Sequence, residues 1–130
     1  MVKSFADLVN EVRAGGVEEL TVKQLAALRK AGAPMVLLDI REPHEQVKGA
    51  KIKGAVCIPR GLLEMNIDRH IRHPNELLIL VCSDGMRSIM AAESLKRMGF
   101  TNAKVLAGGF RALQAAAKPS GAEAQPRARR

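Results

Sequence analysis

Two rhythms alternate along this 130-residue chain. Short unbroken apolar runs have the length of strands buried on both faces. Between them, apolar residues recur every three or four positions, the period of one helix face. Residues 4–13 place Phe5, Leu8, Val9 and Val12 on one such face, with Ser4 at the N-cap position and Gly15-Gly16 closing the helix. Thr21-Val22-Lys23-Gln24 has the reciprocal form of a capping box, and Val22, Leu25, Ala26 and Leu28 carry a second helix to Gly32. Residues 35–39 read as a buried strand, 42–47 as a polar turn or single helical turn, and 56–58 as a brief strand. Pro59 closes it, having no N–H to offer a ladder. Short helical pieces are expected over 61–66 and 68–72, followed by His73-Pro74-Asn75 as punctuation.

The longest apolar run, Leu77-Leu78-Ile79-Leu80-Val81, enters Cys82. Helical spacing resumes at Ser88, Ala91, Ala92, Leu95 and Met98 and stops at Gly99. A last strand over 104–106 leads through Gly108-Gly109 to a helix over 110–116. From Lys118 onward the Ala/Pro/Arg composition cannot build a packed face, so disorder is expected there. Strands alternating with helices predict an α/β fold with a largely parallel sheet and ligands at the carboxyl ends of its strands. Asp39 and Cys82 both fall at such ends. The Asp39-Arg41 segment is therefore expected beside the loop that follows Cys82.

Composition narrows the picture. The length suits one domain with one core. Three Phe and no Trp or Tyr make that core aliphatic and remove the aromatic platforms on which single-stranded nucleic acid stacks. The net charge of +8 attracts anions in general, but part of it belongs to the tail, and no specific nucleic-acid partner is implied. Two cysteines, Cys57 and Cys82, make no disulfide framework. The residues after Met1 soon meet Asp7 and lack the apolar core of a secretory signal, and no apolar stretch reaches membrane-spanning length. A reducing cytoplasm is the expected compartment. His44, His70 and His73 are scattered, so no metal and no cofactor is called for.

The chemistry concentrates in Cys82-Ser83-Asp84-Gly85-Met86-Arg87-Ser88. A strand-turn-helix unit aims backbone N–H groups at the mouth of the turn, where the helix N-terminus adds about half a positive charge. A cysteine at the base of that turn is expected to be partly thiolate and nucleophilic. Most cysteines that end a buried strand simply pack as small hydrophobes. A glycine three residues on and an arginine five residues on are not needed for packing, and they favour the reactive reading.

That loop resembles the active-site loop of single-domain rhodanese-like sulfurtransferases. Upstream, Val36-Leu37-Leu38-Asp39-Ile40-Arg41-Glu42 is similar to the family's strand ending in Asp-x-Arg. Lys53-Gly54-Ala55-Val56-Cys57-Ile58-Pro59 is similar to its Gly-Ala-x-x-Ile-Pro segment. Downstream, Val105-Leu106-Ala107-Gly108-Gly109-Phe110 matches its Leu-x-Gly-Gly followed by an aromatic. The resemblance covers residues 19–115 in the family's order. It implies a three-layer α/β domain whose central, mostly parallel sheet is flanked by helices. On that reading residues 1–18 form a helical extension, 19–116 the domain and 117–130 a basic tail.

The resemblance also implies the reaction. Cys82 would take sulfane sulfur from a donor such as thiosulfate as a persulfide and pass it to cyanide, a small thiol or a protein. The N–H groups of Ser83, Asp84, Gly85, Met86, Arg87 and Ser88 would form the nest for donor and persulfide. Arg87 has two readings, a cation that holds the anionic donor or a structural ion pair. Asp39 and Arg41 are expected to serve as support, and Arg60 to be a solvated surface arginine. Cys57 is expected to be a packing residue rather than a resolving thiol.

Two departures matter. Many members carry Arg directly after the cysteine, where this chain has Ser83, and Asp84 adds a negative charge near the donor. Both weigh against efficient thiosulfate use and leave a protein persulfide or another low-charge donor open. Lys51 stands where the family often has His. The alternatives are a noncatalytic persulfide carrier or binding module, and a cysteine phosphatase. Phosphatases hold phosphate in a Cys-x5-Arg loop, whereas Cys82 and Arg87 enclose four residues.

Overall fold

A computed structural model of the chain describes residues 1–47 and 50–117. In chain order it contains α1 (Phe5–Ala14), β1 (Glu18–Leu20), α2 (Val22–Lys30), β2 (Val36–Asp39) and β3 (Val56–Cys57). There follow α3 (Leu63–Asn66), β4 (Leu78–Val81), α4 (Met86–Met98), β5 (Ala103–Leu106) and α5 (Gly109–Ala117). The strands form one five-stranded sheet in the order β1-β5-β4-β2-β3. Every neighbouring pair is parallel.

The centre of that sheet follows from the apolar run. All four residues of β4 are fully buried. Successive side chains of a strand point to opposite faces, so the run feeds two cores at once. Leu78 and Leu80 join Leu38, Ile40, Leu63, Ile89, Leu95 and the α1 residues Val9 and Val12. Ile79 and Val81 join Leu20, Leu25, Leu37, Leu106 and the α5 residues Phe110 and Leu113. Helices α1, α3 and α4 therefore cover one face and α2 and α5 the other, which makes three layers. Each fully buried aliphatic side chain contributes about 1.5–3 kcal/mol relative to exposure.

The local end signals are realised. Ser4 Oγ accepts from the Asp7 N–H at 3.0 Å and starts α1. Thr21 and Gln24 form the reciprocal capping box of α2. Gly99, at φ 106°, ends α4 in the left-handed conformation that favours glycine.

Two elements differ from the sequence reading. Strand β1 has no apolar run, since only Leu20 of its three residues is buried. Backbone pairing with β5 places it at the sheet edge, where exposed Glu18 and Glu19 discourage further pairing. The helical piece expected over 68–72 is a 3-10 turn at Ile67–Arg69, anchored by fully buried Ile67. Residues 118–130, expected to be disordered, lie outside the described residues. None of the described helices is long and apolar enough to cross a membrane.

Candidate active site

The carboxyl ends of β2, β4 and β5 converge on the loop after Cys82. Gly85 lies at φ 98°, and an added Cβ would meet Gly108 N at 3.3 Å and Leu106 O at 3.5 Å. Only glycine combines that backbone angle with so close a neighbour. Its N–H donates to Cys82 Sγ at 3.1 Å, so the last loop residue before α4 faces the sulfur. The next amide, of Met86, donates instead to Asp84 Oδ1 at 3.0 Å. That carboxylate oxygen lies 4.0 Å from Cys82 Sγ. Gly85 O accepts from Ile89 N and closes the first turn. The amides of Arg87 and Ser88 have no intrahelical partner by position.

Helix α5 holds the other side of the loop. The Phe110 N–H donates to Cys82 O at 2.7 Å and the Arg111 N–H to Ser83 O at 3.0 Å. In a trans peptide the C=O and the following N–H point in opposite directions. Drawing those two carbonyls onto α5 therefore turns the N–H groups of Ser83 and Asp84 away from it. The approach requires glycine, because a Cβ on Gly109 would lie 2.3 Å from Cys82 O.

A pair of carboxylate–guanidinium contacts frames the site. Arg87 donates through Nη1 and Nη2 to Glu45 Oε1 and Oε2, at 2.9 and 2.8 Å, across 42 residues of sequence. This bidentate partner lowers the Glu45 carboxyl from 4.5 to about 2 and raises Arg87 further above its ordinary value. Arg41 is buried, and each of its three side-chain nitrogens donates. Nε and Nη2 bind the Asp39 carboxylate at 3.0 and 2.8 Å, Nη1 binds Glu45 O, and Nη2 also binds Ala50 O. Its guanidinium carbon lies 4.1 Å from the centre of the Phe110 ring, a cation–π contact. Arg41 thereby ties the strand, the turn that carries Glu45 and the helix that holds the loop.

This arrangement has relatives. The sequence profile of the Rhodanese-like domain matches residues 21–116. The chain belongs to the rhodanese-like domain family. Its relatives include YrkF of Bacillus subtilis (strain 168), whose name calls it a sulfur carrier protein. The two are 31% identical over 87 residues, covering 67% of this chain and 45% of YrkF. MoeZ of Mycobacterium tuberculosis, named an adenylyltransferase/sulfurtransferase, is 30% identical over 91 residues, covering 70% of this chain and 23% of MoeZ. This chain thus spans less than half the length of these relatives. Among solved structures, RPA3614 of Rhodopseudomonas palustris CGA009 superposes with a TM-score of 0.78 at 30% identity, covering 92% of this chain and 95% of that one. It is described as of unknown function and a possible tyrosine phosphatase.

Within this rhodanese-like domain, the loop residues expected from sequence are together, but their states differ from expectation. Cys82, at the base of the turn, is fully buried, because it belongs to the core beside α4. The nest over 83–88 is incomplete, since Asp84 takes the Met86 amide. Arg87 adopts the second of its two readings, the ion pair. Ser88 is fully buried, and its hydroxyl is the one buried side-chain polar atom without a partner among the described residues. Arg60 pairs with Glu64 at 2.9 Å instead of standing free in water.

Cys57 is exposed on the edge strand, not packed. Partial desolvation of its sulfur, then the charge of Asp39, push its thiol up. Cys57, Asp39 and Val81 lie in register on one face of the sheet. Cys82, one residue beyond Val81, faces the opposite side. Neither Glu45 nor the clamping role of Gly109 was visible in the sequence. Glu45 offers only an acidic residue in a polar turn, and Gly109 only a place in a motif.

Proposed function

We propose that this domain transfers sulfane sulfur through a persulfide on Cys82. The observation that carries this reading is the Gly85 N–H directed at Cys82 Sγ at 3.1 Å, at the entrance to α4. A donor amide and a helix N-terminus favour negative charge on that sulfur, and sulfur transfer needs a nucleophile whose product is again an anion. No base is required, because the thiolate itself attacks the outer sulfur of the donor. Small sulfur donors and acceptors, or protein thiols, supply the other half of each reaction, and a reducing compartment keeps Cys82 available. Asp39 and Arg41 act here as support, holding the turn that carries Glu45.

The test is intact mass after exposure to a sulfur donor. Wild type gains about 32 Da mapped to Cys82 and forms thiocyanate when cyanide is added. Cys82→Ser does neither; equal thiocyanate rates for the two proteins remove the mechanism.

A carrier that loads sulfur but does not turn over is the second reading, favoured by the full burial of Cys82. It predicts the mass gain without multiple turnovers. A phosphatase would release phosphate from an aryl phosphate, but the loop encloses four residues and its own Asp84 occupies an amide that phosphate would need.

A further inference from the structure

We infer that Asp84 makes this loop discriminate against dianionic sulfur donors, so that its donor class is the low-charge persulfide. The inference rests on the persulfide reading above. A strand-loop-helix site recognises an anion with two kinds of group, the amides at the helix entrance and a nearby arginine. Here the protein's own carboxylates engage both. Asp84 Oδ1 takes the Met86 amide at 3.0 Å and stands 4.0 Å from the reacting sulfur. Glu45 takes both terminal nitrogens of Arg87. Arg111, on the first turn of α5, is exposed, and its charge is screened by water and salt.

Thiosulfate brings two negative charges to this place and must displace or lie against the Asp84 carboxylate. An alkyl persulfide brings at most one, on the sulfur that is transferred. The step is balanced without an oxidant or reductant. The Cys82 thiolate forms a bond to the outer sulfur of R–S–SH, and the bond between the two donor sulfurs breaks. The leaving R–S⁻ takes up the proton that the outer sulfur gives up, so RSH departs and Cys82 keeps –S–S⁻.

Asp84→Asn separates charge from shape, because the amide oxygen still accepts from Met86 N–H. Asp84→Ala vacates that amide. Since Asp84 is exposed, both changes leave the core intact. The experiment measures the single-turnover rate at which Cys82 gains sulfur, by intact mass, from thiosulfate and from a small alkyl persulfide whose alkyl group carries no charge. In wild type the persulfide loads at least tenfold faster. Asp84→Asn raises the thiosulfate-to-persulfide rate ratio about tenfold, mainly through a lower half-saturating thiosulfate concentration, and Asp84→Ala raises it further.

A ratio unmoved in both variants, with persulfide still loading Cys82, overturns the role of Asp84 and leaves sulfur transfer standing. Thiosulfate loading wild type as fast as the alkyl persulfide also overturns it. Failure of both donors to load any of the three proteins removes the persulfide reading and this inference together.

Discussion

The two arginine–carboxylate contacts that frame the site use the same chemistry in different surroundings. Asp39 and Arg41 lie two residues apart at one strand end, with side chains 0% and 2% exposed. Glu45 and Arg87 come from distant segments, and their side chains are 22% and 32% exposed. The first pair is fully enclosed and has further partners in Ala50 O, Glu45 O and the Phe110 ring. The second reaches water. A buried pair is held because breaking it strands a charge, whereas a half-exposed pair can be remade as solvent and ligand compete for it. The scaffold and the adjustable part of the site therefore differ in burial rather than in kind.

The sharpest way to break this contrast is Asp39→Ala. It leaves the Arg41 guanidinium buried without its carboxylate and should destabilise the domain by about 3–5 kcal/mol, read as a lower denaturant midpoint. Glu45→Gln should cost only about 1 kcal/mol, because solvent replaces part of what Arg87 loses. Equal costs for the two variants would erase the distinction. The smallest effect is a titration. A carboxyl lowered in the folded state contributes stability above its unfolded value and loses it as pH falls. The contribution of Glu45 should therefore be complete above about pH 4.5 and fade towards about pH 2. Over that window the wild-type denaturant midpoint should approach that of Glu45→Gln, and parallel curves would place the pair elsewhere.

Much of the fold was legible because it is written locally. The Leu77-to-Val81 run, the Thr21–Gln24 box and the glycines at 85 and 99 each specify their element through neighbours a few residues away. Strand β1 was not legible, because its pairing with β5 depends on backbone groups and its sequence carries two glutamates in three residues. The candidate site divides in the same way. Cys82, Gly85 and Arg87 stand out by spacing. The partner of Arg87 does not, since 42 residues separate it from Glu45 and only the folded sheet brings them together. The burial of Cys82 and the exposure of Cys57 also depend on which strand is central and which is at the edge. Residue type alone suggests the same packing role for both.

The grip of α5 on the Cys82 and Ser83 carbonyls has a consequence for the order in which the protein matures. Gly109, Phe110 and Arg111 are made after the cysteine, so the grip forms only once the C-terminal part of the domain has folded. Until that final helix docks, nothing prevents those oxygens from swinging towards the sulfur and presenting lone pairs where hydrogens belong. If Cys82 is the nucleophile proposed above, a chain whose last helix is undocked should load sulfur more slowly than the folded domain.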